Sequence, residues 1–127
     1  TLRTDAPLDH AGKGENFAPT DLLATALGTC FLTVMGIKAK EKGWNLDDMS
    51  IEIEKKMTTY GPRKIDSLLL QINMPSHLNN DQLNVLRKAT KDCPVLRNLN
   101  DSIKKSLIKI FAELAVEFLP SSFGSSI

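Results

Sequence analysis

The run Pro19–Lys42, PTDLLATALGTCFLTVMGIKAKEK, limits what this chain can become more than any other stretch. Pro19 suits the first position of a helix, and Thr20 and Asp21 complement its positive end. Lys38, Lys40 and Lys42 favour the negative end, where Gly43 can take the left-handed stop conformation. Such a helix would be roughly 36 Å long, enough to span a small domain. Its middle is almost wholly apolar or small, so it is expected to be buried on most sides at the centre of the fold. The polar ends, with Thr25, Gly28, Thr29 and Thr33 inside, argue against a membrane span. Ala24, Ala26, Gly28 and Thr29 leave a low-profile patch that another backbone, from this chain or a partner, could approach closely. Cys30 sits beside that patch.

A chain of 127 residues with 42% apolar content is expected to form a single domain over 1–127 with one core. A net charge of +1 and few aromatic residues point away from nucleic acid as a partner. No targeting leader is visible. The two cysteines, Cys30 and Cys93, are too few for a secreted disulfide scaffold. With His10 and His77 they match no zinc spacing, so no metal is expected.

Around the long helix the pattern changes. Residues 1–18 read as an entry strand and a loop, with turn chemistry at Asp5-Ala6-Pro7 and a surface loop at Gly12-Lys13-Gly14-Glu15. That loop lacks the flanking strand and Ser/Thr ending of a phosphate loop. Residues 49–57 alternate in the manner of a half-exposed strand, Ile51 and Ile53 against Glu52, Glu54 and Lys56. The segment 65–74 reads as a second, more buried strand, giving an antiparallel hairpin whose loop is too long for a tight turn. A second helix is expected over about 81–91, capped by Asn79 or Asn80. Pro94 is placed to open a short helix with Cys93 at its cap. Beyond it, Ile103, Leu107, Ile110 or Phe111, Leu114 and Phe118 recur at helical spacing, yet 107–111 could equally be a third strand. Residues 120–127 are expected to be a disordered tail.

The two thiols have different settings. Cys93 precedes a helix start, where free amides and the dipole favour thiolate. Cys30 lies in apolar company mid-helix, where burial alone would keep it protonated and inert. A reactive Cys30 therefore needs a cation or donor, and Arg3, Arg63, Arg87 and Arg97 are the guanidinium groups at hand. Two readings stand: both cysteines are small core residues, or they are a pair in which one thiolate attacks a peroxide and the other closes a disulfide.

The run from Gly12 to Cys30, GKGENFAPTDLLATALGTC, resembles the OsmC/Ohr family of osmotically inducible and organic hydroperoxide resistance proteins. So does Cys93-Pro94-Val95, 63 positions after Cys30, and so does Pro62-Arg63-Lys64-Ile65 between the strands. The resemblance covers roughly 4–100. It implies an α+β, OsmC-like fold: a long buried central helix carrying Cys30, an antiparallel sheet and a second cysteine-bearing helix, built as an intertwined homodimer. The chain would lack an N-terminal strand hairpin of the family.

The resemblance also implies thiol-dependent reduction of organic hydroperoxides in stress defence, with Cys30 peroxidatic and Cys93 resolving. No metal, haem or flavin is needed. The partners would be the hydroperoxide and a small dithiol or thiol-protein reductant, in a cytoplasmic protein that binds neither nucleic acid nor membrane. The hydroperoxide resistance branch carries Glu directly after the proline, holding a catalytic Arg. Here that position is Thr20, and Asp21 matches the acidic residue of the OsmC-like branch. Asp21 would lie about 13 Å along the axis from Cys30, which fits a helix-start role better than direct action on the thiol. Arg63 is the best internal candidate for the activating cation. Leu27, Phe31 and Val34 beside Cys30 would favour a greasy substrate tail. The alternative is a non-catalytic dimeric binding or stress-associated protein with the same fold. A membrane-surface protein, hinted at by the lysines of 38–42, is opposed by Glu41, Asp47 and Asp48.

Overall fold

The computed structural model describes residues 1–113 of the chain. In order they form α1 (Pro19–Lys42), β1 (Ser50–Met57), β2 (Ile65–Met74), α2 (Asn80–Ala89), α3 (Pro94–Arg97), α4 (Asp101–Lys105) and β3 (Leu107–Glu113). Short 3-10 turns lie at Leu8–His10 and Thr90–Asp92. The tail expected over 120–127 lies outside the described residues.

Helix α1 begins and ends where its sequence places it. The Ala18 backbone N–H donates to Asp21 Oδ2 at 2.9 Å, satisfying an amide ahead of the first turn. Asp21 Oδ1 also lies 2.6 Å from Lys55 Nζ, which donates to Thr20 Oγ1 at 2.9 Å as well. At the other end Gly43 takes φ 75°, and its N–H reaches the Ala39 and Lys40 carbonyls.

The expectation that α1 is buried on most sides is corrected. Ala24, Leu27, Gly28, Phe31, Met35 and Ala39 form one buried stripe, three or four residues apart. Thr25, Thr29 and Thr33 are exposed on the far side, as are Leu23 and Ile37. The reason is geometric: a three-stranded sheet and the segments packed beside it cover only one face of so long a helix. Thr29 and Thr33 donate their hydroxyls to the Thr25 and Thr29 carbonyls at 2.8 and 2.9 Å, so their polar ends are already used. By length and composition α1 could cross a membrane. In this fold its apolar stripe is the floor of the core.

The small residues of α1 meet side chains of β1, not another backbone. A Cβ on Gly28 would run into Ile53 Cδ1, 3.0 Å from Ile53 Cγ1 and 3.4 Å from Ile51 Cδ1. Strand β1 turns Ile51, Ile53, Lys55 and Met57 toward the helix and leaves Glu52, Glu54 and Lys56 exposed.

The sheet order is β1-β2-β3. Strands β1 and β2 form the expected hairpin, from Ser50↔Asn73 to Met57↔Ile65. Their loop, 58–64, is closed by the Thr58 N–H donating to the Lys64 carbonyl at 2.9 Å. The ambiguous stretch after 106 is a strand. It runs parallel to β2, from Leu68↔Leu107 to Met74↔Glu113, so the sheet is mixed and not antiparallel. A parallel neighbour needs a crossover, and residues 75–106 supply it with α2, α3 and α4. No strand forms over 1–18. The Asp5 carboxylate accepts from the Lys13 and Glu15 amides, and the Asp5 N–H donates to the Phe17 carbonyl, folding this segment into a closed loop.

Two predictions follow from the seat of α1. Gly28→Ala should lose about 1 kcal/mol, because overpacking against Ile53 outweighs the gain in helix propensity. Ile53→Val, which removes the clashing Cδ1, should recover most of that loss in a double-mutant cycle by urea melts. An additive cycle would show that Gly28 is not needed for the close approach.

The Lys55 hydrogen bond lowers the Asp21 pKa first; partial burial opposes it, and the Ala18 amide assists. Because the folded pKa lies below the unfolded one, the stabilisation is present above the ordinary carboxylate range and is lost as pH falls through the folded value. The Asp21 side chain is 37% exposed, so solvent screening limits the effect. Asp21→Asn should therefore cost about 0.5–1 kcal/mol at pH 7. Thermal melts should show the difference from wild type closing below about pH 4.

Candidate functional site

Cys30 and Cys93 come together from separate parts of the fold. Cys30 is carried by α1, and Cys93 by the crossover between the parallel strands, which packs on α1 through α2 and α3. Both are free thiols, and Cys30 packs against the core cluster that holds Cys93, near enough to act on its sulfur. Pro94 is the first residue of α3, as the sequence implies, and Cys93 caps it: its Sγ accepts from the Leu96 N–H at 3.4 Å.

Their exposure differs. Cys93 is 0% exposed and belongs to the core cluster, whereas Cys30 is only partly buried against the same cluster. A helix start alone would favour a Cys93 thiolate, but the balance here has the opposite sign. Burial pushes the thiol up from its ordinary range, and the neighbouring Cys30 thiol adds to it. The Leu96 and Val95 amides pull the other way and do not win. Helix α3 has only 4 residues, too few for a strong dipole to offset desolvation.

The apolar neighbours of Cys30 divide. Leu27 and Phe31 are fully buried against the sheet side, so they are core and not a lining for a ligand. Val34 remains partly exposed.

The other sequence candidates lie elsewhere. Asp21 stands at the start of α1 with Lys55 and Thr20, nine residues before Cys30, or about 13 Å along the axis. Arg63 sits in the β1–β2 loop with Nη2 3.9 Å from Asp9 Oδ1, on a surface pocket shared with Lys55 and Lys56. Arg97 pairs with Asp92 at 3.2 Å. The Arg87 guanidinium lies 5.1 Å from the Phe111 ring centroid. Among the described residues no three His, Cys, Asp or Glu side chains converge as metal ligands would.

Lys55 is the residue that sequence reasoning passed over. Its signal was in the alternation: it occupies an inward position of β1, in step with Ile51 and Ile53. A lysine there needs a partner, and its side chain is only 14% exposed. The acid at the start of the neighbouring helix is that partner.

Comparison with known proteins identifies the family and the fold. The family model described as OsmC-like protein matches residues 12–107. No curated protein matches the chain. Among solved structures, one from Psychrobacter arcticus is described as an osmotic stress induced and detoxification response protein. It shares 34% identity at a TM-score of 0.79, over 87% of this chain and 78% of that one. The Legionella pneumophila organic hydroperoxide resistance protein OsmC aligns at 0.72 with 19% identity, over 87% of this chain and 80% of that one. A Vibrio cholerae protein, described as an organic hydroperoxide resistance protein with captopril in one of its active sites, also aligns at 0.72. It shares 19% identity over 91% of this chain and 78% of that one. With its long cysteine helix, its second cysteine at a helix cap and a family match across most of its length, this chain belongs to the OsmC-like family.

Proposed function

We propose that the protein reduces organic hydroperoxides with Cys30 as the attacking sulfur and Cys93 as the resolving one, within a stress and redox role. The observation that carries this reading is that the fold brings a partly accessible thiol, 63 positions away in sequence, into the neighbourhood of a fully buried one. The descriptions of the Legionella and Vibrio relatives support the substrate class. Cys30 as thiolate attacks the distal oxygen of ROOH. The O–O bond breaks, the RO⁻ fragment takes a proton and leaves as ROH, and Cys30 becomes a sulfenic acid. Cys93, once it has lost its proton to solvent, attacks that sulfur; the S–S bond forms, and the departing hydroxide takes up a proton and leaves as water. A dithiol reductant returns two electrons and two protons through exchange. A homodimer in the cytoplasm completes the proposal. The uncovered face of α1, with Leu23, Ile37 and three threonines, suits a second long helix.

A second reading, a non-catalytic dimeric binding protein, is favoured by one fact: Arg63 and Arg97, two of the guanidinium groups that could have activated Cys30, pair instead with Asp9 and Asp92. Stopped-flow thiol titration against cumene hydroperoxide separates the two. Wild type should lose both thiols to one intramolecular disulfide. Cys30→Ser should abolish the reaction, and Cys93→Ser should stop at sulfenic acid. Thiols that react no faster than free cysteine would leave the binding reading standing.

The direction of the Cys93 shift gives a further expectation. A thiol held above its ordinary range is the neutral form at neutral pH, so closure of the disulfide should accelerate with rising pH. Sequential-mixing kinetics should show this step climbing about tenfold per pH unit, with no plateau below about pH 8.5. A plateau near neutrality would contradict the assignment of Cys93 as the slow, protonated partner.

A further inference from the structure

A basin of about 510 Å³ opens between α2, the turn after it and the inner face of β3, lined by Asn84, Arg87, Lys88, Lys91, Lys109 and Phe111. Four cations share it in a chain whose net charge is +1. No carboxylate lines it, and among the described residues none of the four is in an ion pair.

The cations are held by groups that leave their charge uncompensated. Arg87 lies over the Phe111 ring, 5.1 Å from its centroid, and donates from Nη1 to Asn84 Oδ1 at 3.2 Å. Lys109 Nζ lies 5.5 Å from the centroid of the buried Phe31 ring and donates to Thr90 Oγ1 at 3.5 Å. The Thr90 hydroxyl donates in turn to the Arg87 carbonyl at 2.6 Å, which turns its oxygen toward the ammonium as acceptor. Burial and the charge of Lys91 pull the Lys109 pKa down, so the fold bears a cost to keep this amine here.

Part of the cluster has a plain structural use. Arg87 and Lys88 lie in the last turn of α2, where cations complement the helix dipole. That does not account for Lys91, beyond the helix, or for Lys109, which sits on a strand and faces inward. We propose that this basin binds the phosphate group of a small anionic ligand, held by Arg87, Lys88, Lys91 and Lys109. A planar guanidinium fork together with ammonium donors suits a polyvalent phosphate better than a single carboxylate. The volume exceeds that of the bare anion and leaves room for the rest of the ligand beside Phe111. The basin is distinct from the thiol pair and stands whether or not the thiols are catalytic.

Isothermal titration of the whole chain with pyrophosphate, at fixed ionic strength, tests this. One site per chain is expected, weakened at least about tenfold by Arg87→Gln and by Lys109→Met. Lys38→Met, outside the basin lining, should bind as wild type. Lys109→Met removes a desolvated charge, so its melting temperature should not fall while its affinity does, which separates loss of the site from loss of the fold. Binding should also take up protons at alkaline pH, seen as a buffer-dependent enthalpy. Co-sedimentation with phosphatidylcholine vesicles containing phosphatidic acid distinguishes the source. Sedimentation abolished by Lys109→Met assigns the phosphate to a lipid headgroup, and pyrophosphate binding without sedimentation assigns it to a soluble ligand. No saturable binding to either probe, or binding equally strong in both basin variants, would overturn the proposal.

Discussion

Strand β2 is buried along nearly its whole length, and a strand in that position must find a hydrogen-bonded neighbour on each edge. Its first neighbour is local and comes with the β1–β2 hairpin. Its second cannot be, because β3 runs parallel and the chain has to travel back across the sheet before it can pair. That return is the segment 75–106, and its docking on α1 brings Cys93 to Cys30. The nearness of the two thiols is therefore a consequence of strand direction. Had β3 been antiparallel, a short turn would have sufficed, and nothing would oblige residues between the strands to lie against the long helix.

Much of this was readable because it is local. Helix α1 announces itself at both ends through Pro19, Asp21 and Gly43, each acting on backbone groups within a turn. The β1 and β2 strands follow from alternation, and the Asn79 and Cys93 caps follow from the residues beside them. What could not be read depends on sequence-distant neighbours. Parallel pairing of β3 is one case, since side-chain alternation is the same in either direction. The exposed face of α1 is another: Leu23 and Ile37 resemble core residues, and only the width of the sheet decides that they are not. The sign of the Cys93 shift is a third. Helix position predicts a thiolate, while burial to 0% exposure, set by the whole fold, predicts a thiol, and burial is the stronger effect.

The candidate site follows the same division. The pairing of Cys30 with Cys93 was visible from their resemblance to a known spacing, and the geometry brings both to one place. Arg63 was chosen because it is a guanidinium between two strands. Its partner is Asp9, contributed by a loop that reads as surface. Asp21 found a lysine whose importance depends on which way an alternating strand faces.

Unequal burial of the two thiols also orders the proposed chemistry. A hydroperoxide arriving from solvent can reach a partly exposed sulfur and not one sealed at 0%, so the roles of Cys30 and Cys93 are not interchangeable. The buried thiol, pushed toward its protonated form, would be a slow nucleophile in that scheme. Its burial would also shield it from direct peroxide attack and so, as the proposed resolving sulfur, from over-oxidation. In the proposed reaction, the desolvation that weakens Cys93 as a nucleophile would thus protect it until a sulfenic acid formed beside it. Closure of the disulfide would then rest on proximity and not on a lowered pKa.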